Sequence, residues 1–438
     1  MKPTILVNLL TDMFLLLLAV PVQAQQTEQR VSVARLFELT RQNHPKLKVA
    51  KADIDIARQS TEVAKNAQLP SVSAGLQGYY LGNAVVLDKD FSNATKVDIP
   101  HHGTSFSTEA NWLVWKGGLV RNSIQIQSLK EGLMQLNYES NEQNIKLLVL
   151  GHYLDVYKLL NQEKVYTRNI ALAERRLQNI QRLYKEGLVT RNDVVRAELQ
   201  LSNLNLARQV VQNNRAILNK QLTVALGLPD EVVVVPEEAL LATAEVSAVQ
   251  DYQLASKNHP SLLLARRSVE VYDVADKVIR AERSPSLSLF SGNKLQRPLT
   301  TSVPALDMYS NGWSTGLSLN INLDALYKTP RKVQLNRFEQ DKAQAQANDT
   351  EQQLEVAVNA SYIKYHEAVS QRNTYGVQKS LAAENYRIME SKYNNQLAIL
   401  LDLLDASNAK LDAELQFTNA EANIVFSYYK LLKDSGQL

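Results

Sequence analysis

Trp313-Ser314-Thr315-Gly316-Leu317-Ser318-Leu319-Asn320-Ile321-Asn322-Leu323 alternates without a break. Its odd positions are Trp, Thr, Leu, Leu, Ile and Leu; its even positions are Ser, Gly, Ser, Asn and Asn. Such a period of two marks a strand with one apolar and one polar face. A run of about 11 residues is also the length of a tilted strand that crosses a bilayer. Three more stretches behave in the same way. Ser71 to Leu81 carries Val72, Ala74, Leu76 and Tyr80 on one face; Phe106, Ala110, Trp112 and Val114 form another; the stretch from Ser286 gives a weaker fourth. All three tryptophans, Trp112, Trp115 and Trp313, fall in these segments, as interfacial aromatics do. Taken alone, the strands also allow a soluble sandwich with an aromatic core.

Between the strands the chain changes period. Its 12 prolines leave two long gaps, none lying between 101 and 228 and none after 330. Two runs of that length exclude an ordinary α/β enzyme layout. Leu119 to Glu186 predicts one long helix ended by Gly187, and helix resumes around Thr190 as far as Gly227. Ala197, Leu204, Val211, Leu218 and Ala225 stand seven apart, as do Leu404, Leu411, Val425 and Leu432, with Thr418 as the polar exception. That is coiled-coil spacing. The long helix is about 100 Å at about 1.5 Å per residue. A helix from Asn43 to about 69, laid end-on to the return helix, gives roughly the same length, and 331–395 behaves alike in the second half. Each half therefore reads as a rod of antiparallel helices with a strand hairpin at one end.

The two halves repeat. Asn43-His44-Pro45 recurs as Asn258-His259-Pro260, and Pro70-Ser71-Val72-Ser73 as Pro285-Ser286-Leu287-Ser288. Tyr153, Tyr184, Asp193, Ala197 and Gly227 correspond to Tyr362, Tyr393, Asp402, Ala406 and Gly436 at one constant offset. Internal duplication gives repeats over 25–230 (helix, strand pair 70–117, helix hairpin 118–227) and 251–438 (helix, strand pair 285–324, helix hairpin 330–436), with a linker at 231–250. Asn43 and Asn258 are read as helix N-caps with the proline in the first turn, and the histidines between them as helix-start residues and not ligands.

Lys2, the apolar run Met13 to Val20 and the small residues up to Ala24 read as an export signal over 1–24. Forty-eight basic against 45 acidic residues leave a net charge of +3, which argues against a nucleic-acid partner. There is no cysteine, hence no disulfide, thiolate metal site or cysteine nucleophile. No metal-ligand cluster, phosphate loop or nucleophile elbow is present, and the adjacent His101 and His102 are a weak metal signal, so neither an enzyme nor a cofactor is expected. Four strands cannot close a membrane barrel alone, and lipid forbids open edges. Two copies give eight strands and a filled interior; three give twelve and a lumen. A conduit needs the trimer.

This order of elements resembles the TolC-like outer-membrane efflux protein family over essentially the whole mature chain. The resemblance rests on the duplicated Asn-x-Pro helix starts, the strand pairs, Trp115-Lys116-Gly117-Gly118, and the tips Tyr184-Lys185-Glu186-Gly187-Leu188-Val189 and Leu401-Asp402-Leu403-Leu404-Asp405-Ala406. It implies a mainly α fold with membrane β: a long antiparallel coiled-coil helical barrel continuous with a trimeric twelve-stranded β-barrel, four strands per chain. It implies an outer-membrane exit duct of a tripartite efflux or secretion system in a Gram-negative bacterium, with most of the chain in the periplasm. The partners implied are two further copies of the chain, a periplasmic adaptor, an inner-membrane transporter and outer-membrane lipid. Asp402 and Asp405 fall on the acidic ring that narrows the periplasmic mouth. Aspartates at i and i+3 share a helix face, and a threefold ring of carboxylates favours cations; the bland reading is a solvated helix start. Tyr393 and Asp193 match positions that help lock the closed mouth. Ala398 stands where an arginine is expected, and Arg191 is the cation available to replace it. Gly187 and Leu188 match the tip that meets the adaptor. Gln396 and Leu397 occupy the second tip, where Gln396 replaces glycine. The competing expectation is a periplasmic coiled-coil scaffold that transports nothing; the amphipathic strands and interfacial tryptophans argue against it.

Overall fold

The computed structural model describes residues 27–237, 246–302 and 305–438. The expected leader, 1–24, and the middle of the expected linker, 238–245, lie outside the described residues. In chain order the elements are β1 (Thr27–Val31), α1 (Val33–Asn43), α2 (Pro45–Lys65), a 3-10 turn (Asn66–Gln68), β2 (Ser71–Tyr80), β3 (Ala84–Val86), β4 (Thr95–Val97), β5 (His102–Trp115), α3 (Leu119–Lys185) and α4 (Arg191–Leu226). They continue as β6 (Val232–Pro236), α5 (Val249–Ser256), α6 (Pro260–Ala281), β7 (Ser286–Arg297), β8 (Ser310–Asn320), α7 (Ala325–Asn394) and α8 (Leu400–Asp434). The chain divides into two compact units: Met1–Lys48 with Glu142–Ser256 and Ala357–Leu438, and Val49–Asn141 with Lys257–Val356. The mainly helical character expected from the sequence is observed. α3 has 67 residues and α7 has 70, each ~100 Å long at about 1.5 Å per residue.

The coiled-coil spacing is used as expected. Ala197, Leu204, Val211 and Ala225 are buried on α4, and Leu404, Thr418 and Val425 on α8. The one polar seam residue, Thr418, satisfies its hydroxyl by donating to Glu414 O at 3.1 Å.

Several expectations need correction. The residues before α2 and α6 that take extended, N-cap geometry are His44 and His259, not Asn43 and Asn258. The reason is steric, because a following proline drives its predecessor out of the helical region. The two histidines cap with their rings: His44 Nδ1 accepts from Lys46 N at 3.3 Å, and His259 Nδ1 accepts from Ser261 N at 3.1 Å. Asn43 ends α1 instead, and its Nδ2 donates to Leu226 O at 2.9 Å, where α4 stops. The helix expected from 330 begins earlier, at Ala325, with Pro330 inside it. Pro330 has no N–H for the carbonyl four residues back. Arg283 Nη2 approaches that Leu326 carbonyl to 3.4 Å, so the acceptor is not left bare. The alternation read as far as Leu323 outlasts the strand, since β8 ends at Asn320.

The expected linker contains structure. Val232–Pro236 pairs in parallel with Thr27–Val31, from Thr27 opposite Val232 to Val31 opposite Pro236. Asn219 fixes this strand to α4, its side chain donating to Val232 O at 2.8 Å and accepting from Val234 N at 2.8 Å. Tyr153, fully buried on α3, donates its hydroxyl to Val31 O and accepts from Glu237 N at 3.3 Å. Burial pushes its pKa up to about 12. Leu36, Leu47, Leu150, Leu154, Leu222 and Leu226 complete the core of this unit. Replacing Tyr153 by Phe keeps the packing and strips the Val31 carbonyl of its donor. We expect a loss of about 1–2 kcal/mol, read by chemical denaturation of the full-length protein in detergent.

Candidate functional site

Four strands of the second unit form one antiparallel sheet in the order β2-β5-β7-β8. Residues directly opposite in such a sheet share a face. The register sets Val72 opposite Ala110, Leu76 opposite Phe106, Phe106 opposite Leu295, Trp112 opposite Leu289 and Leu289 opposite Leu317. One face therefore carries apolar side chains from all four strands, with Thr108, Ser291, Asn293 and Thr315 among them. It is also uncovered in the chain, with Val72 at 75%, Leu76 at 78%, Trp313 at 76% and Leu319 at 72% exposure. The other face carries Ser73, Gln77, Ser105, Ser107, Glu109, Ser288, Lys294, Ser314 and Ser318.

The polar face has two aromatic exceptions, each lying over a glycine of the neighbouring strand. Tyr79 lies opposite Gly103, where an added Cβ would fall 2.0 Å from the ring. Phe290 lies opposite Gly316, where it would fall 2.9 Å from the ring. Cross-strand aromatics of this kind cover backbone that glycine leaves bare.

The tryptophans mark two levels of the apolar face. A bulge between Leu113 and Trp115 shifts the register, so Trp112 pairs with Leu289 and Trp115 with Leu287. Without it the two indoles would point to opposite faces. Both lie where β5 leads into α3. Trp313 lies near the far end of β8, and Tyr80 near the far end of β2. From Trp313 to Leu319, which is level with Trp115 through Leu287, is about 20 Å at about 3.4 Å per residue. Beyond the far end, β3 and β4 form a separate hairpin between β2 and β5. There His101 stacks on Tyr80, and its Nδ1 lies 2.8 Å from Leu81 O. No group of three or more His, Cys, Asp or Glu able to hold a metal occurs among the described residues.

The helix tips lie in the first unit and share one backbone design. Gly187 N donates to Tyr184 O at 3.0 Å and Leu188 N to Leu183 O at 2.9 Å; Gln396 N donates to Tyr393 O at 3.0 Å and Leu397 N to Lys392 O at 2.8 Å. Gly187 has φ of 73° and Gln396 a φ of 61°. The side-chain exchange at the second tip therefore leaves the turn intact and puts a non-glycine residue in the left-handed region. Leu188 and Leu397 project from the two turns into solvent.

After each turn an aspartate closes the next helix. Asp193 Oδ2 accepts from Thr190 N at 2.9 Å and Thr190 Oγ1 at 2.7 Å, while Asp193 N donates back to Thr190 Oγ1 at 3.3 Å, a capping box. Asp402 Oδ2 accepts from Ile399 N at 3.4 Å. Asp402 and Asp405 are both exposed, one turn apart on α8, and neither has an ion-pair partner among the described residues. Arg191 does not turn to Asp193 within the chain; its guanidinium lies 3.8 Å from Glu198. Tyr393 packs against a cluster of Ile180, Val194, Ala197, Leu400 and Leu404. Its hydroxyl is buried without a hydrogen-bond partner among the described residues. Burial first, and the nearby negative charge of Asp193 second, push its pKa up.

Sequence reading missed the polar centre behind this tip. Buried Arg176 on α3 donates to Gln200 Oε1 on α4 at 3.0 Å, to the Tyr386 hydroxyl on α7 at 3.1 Å and to Ser407 Oγ on α8 at 3.3 Å. Tyr386 passes the interaction on by donating to Glu390 Oε1 at 2.7 Å. One side chain thus joins all four helices. The signal was present: Asn169 and Arg176 are buried seven apart, in step with Ala173 and Ile180.

The comparisons agree with this geometry. Residues 36–228 and 252–436 match the family described as outer membrane efflux protein, one segment in each expected half. The chain belongs to that family, one of efflux channels and not of enzymes, and its place is the outer membrane with a large helical part in the periplasm. It is 22% identical over 404 residues to the outer membrane efflux protein BepC of Brucella suis biovar 1, covering 90% of this chain and 83% of that protein. It is 21% identical over 429 residues to the outer membrane protein TolC of Escherichia coli K12, covering 94% and 83%. The solved outer membrane protein VceC of Vibrio cholerae superposes with a TM-score of 0.74 at 15% identity, covering 92% of this chain and 96% of that one.

The tip turns supply a mirrored test. Gln396→Gly relieves a left-handed residue worth about 1 kcal/mol, and hydrogen exchange of the Leu397 amide should slow by roughly fivefold. Gly187→Gln, at a site with nothing within 4 Å of an added Cβ, should speed exchange at Leu188 by a similar factor.

Proposed function

We propose that three copies of this chain close a twelve-stranded barrel and form the exit duct of a tripartite efflux or secretion system. The observation that carries the reading is the sheet. It has an uncovered, mainly apolar face, a mainly polar opposite face and aromatic levels about 20 Å apart, near the height of a membrane barrel's apolar band. Its edges, β2 and β8, are each paired on one side only. In lipid those edge groups need partners, and a second copy is the partner that the chain itself provides.

The helices support the same assembly. Val49, Ile56 and Val63 on α2 are exposed at a spacing of seven, as are Val210, Ile217 and Val224 on α4. These are second seams, outside the ones buried within the chain, and they suit helices of neighbouring copies. Around a threefold axis Asp402 and Asp405 would supply a ring of carboxylates at the periplasmic mouth, and Tyr393 with Asp193 would help to hold it shut. The projecting Leu188 and Leu397 turns are then the contacts for a periplasmic adaptor, which joins the duct to an inner-membrane transporter.

Purified protein should need detergent for extraction and migrate as a heat-sensitive trimer; a soluble monomer in the periplasmic fraction would sink the reading. In planar bilayers it should form cation-preferring pores of low conductance. Asp402→Ala with Asp405→Ala should raise the conductance and weaken block by multivalent cations several-fold. Unchanged current and block would remove these two residues from the constriction.

A further inference from the structure

We propose that the groove where β5 passes into α3 is a phospholipid site, in which Lys116 and Arg121 hold the lipid phosphate. The inference rests on the membrane reading of the sheet and adds a ligand to it. A cavity of about 500 Å³, within the range of small-ligand sites, is lined by Gln68, Trp112, Trp115, Lys116 and Arg121 among others. All of these residues belong to one compact unit.

The two tryptophans have different tasks. Trp112 Nε1 donates to Gln68 O at 2.8 Å, which fixes that ring as a wall. Trp115 is half exposed, and its indole N–H has no partner among the described residues, so it is free to donate to a lipid ester or phosphate oxygen. The bulge brings both rings to the apolar face, and its residues Leu113 and Val114 also line the groove. Next to them, neither Lys116 nor Arg121 has an ion-pair partner among the described residues. No acidic residue lies between Trp112 and Arg121. Two unpaired cations beside exposed indoles match a phosphate above acyl chains.

Charge differs between the two ends of the sheet. At the far end the 82–101 loop carries Asp88, Asp90 and Asp98 against Lys89 and Lys96. The helical end is the basic one, and it faces the leaflet made of phospholipid in an outer membrane. Because β5 is paired on both sides, by β2 and by β7, assembly through the edge strands leaves its apolar face open to that leaflet.

The test uses the full-length protein in detergent, examined by native mass spectrometry. The probes are dioleoylphosphatidylglycerol and dioleoylglycerol, which share acyl chains and differ in the phosphate. The protein should retain up to one phosphatidylglycerol per chain and much less diacylglycerol. Lys116→Gln and Arg121→Gln should each weaken retention by roughly fivefold, and Trp115→Phe by less. Lys116→Arg should retain lipid like the parent, and Lys89→Gln with Lys96→Gln should change nothing. Equal retention of both probes, or undiminished phosphatidylglycerol on the double variant Lys116→Gln/Arg121→Gln, overturns the proposal. Bilayer conductance of the same samples separates the two readings. Pores that conduct normally with no lipid preference defeat the site alone, whereas absence of pores defeats the channel reading whatever the lipid result.

Discussion

The unpaired backbone of two edge strands constrains everything else in this protein. A strand edge leaves a row of N–H and C=O groups, and in hydrocarbon none can turn to water. β2 and β8 each present such an edge, at opposite sides of a sheet whose apolar face is already uncovered. A single chain therefore cannot be the finished object in a membrane. The alternation of side chains gives the same sheet two unlike faces, one mainly apolar and one mainly polar. On the polar face Tyr79 and Phe290 cover the glycines of neighbouring strands.

The helices solve a different problem, that of keeping about 100 Å of chain straight and in register. Apolar seams of small and branched residues do most of it, and they are interrupted by polar residues that find partners within the seam. Thr418 turns its hydroxyl to its own backbone. Arg176 cannot do so, and instead takes one acceptor from each of the other three helices, with Glu390 balancing its charge through Tyr386. A buried cation held in this way favours one alignment of four helices over any slipped one, because sliding by a turn strands its donors.

Much of the fold was legible in the sequence because its signals are periodic and long. Strands of about 11 residues and helices of several heptads exceed what chance patterning produces, and each signal occurs in both halves of the sequence. Legibility failed where one local rule overrode another. Asn43 is the better cap by composition, yet proline geometry gives the position to His44 and His259. Pro330 looked like a start and is an interior residue, because Arg283, distant in sequence, approaches the carbonyl that it frees. Val232-Val233-Val234-Val235 has the β-branched composition of a strand, but its partner lies at the other end of the repeat and no spacing rule joins them. At the tips, residue types pointed to a site, while the capping box of Asp193 and the Arg191–Glu198 contact show that some of those side chains already serve the turn.

The pairing of β1 with β6 has a consequence for biogenesis. Thr27–Val31 meets its partner only after the strand pair, α3 and α4 have all been made, and Tyr153 from the middle of that stretch fastens the two strands. Every group in this clasp, up to Glu237, precedes the second half of the chain. Synthesis runs from the N-terminus, so Thr27–Val31 has its strand partner only once Val232–Pro236 has been made. The clasp therefore needs no strand from beyond residue 237, whereas the four-stranded sheet needs β7 and β8, which come later in the chain.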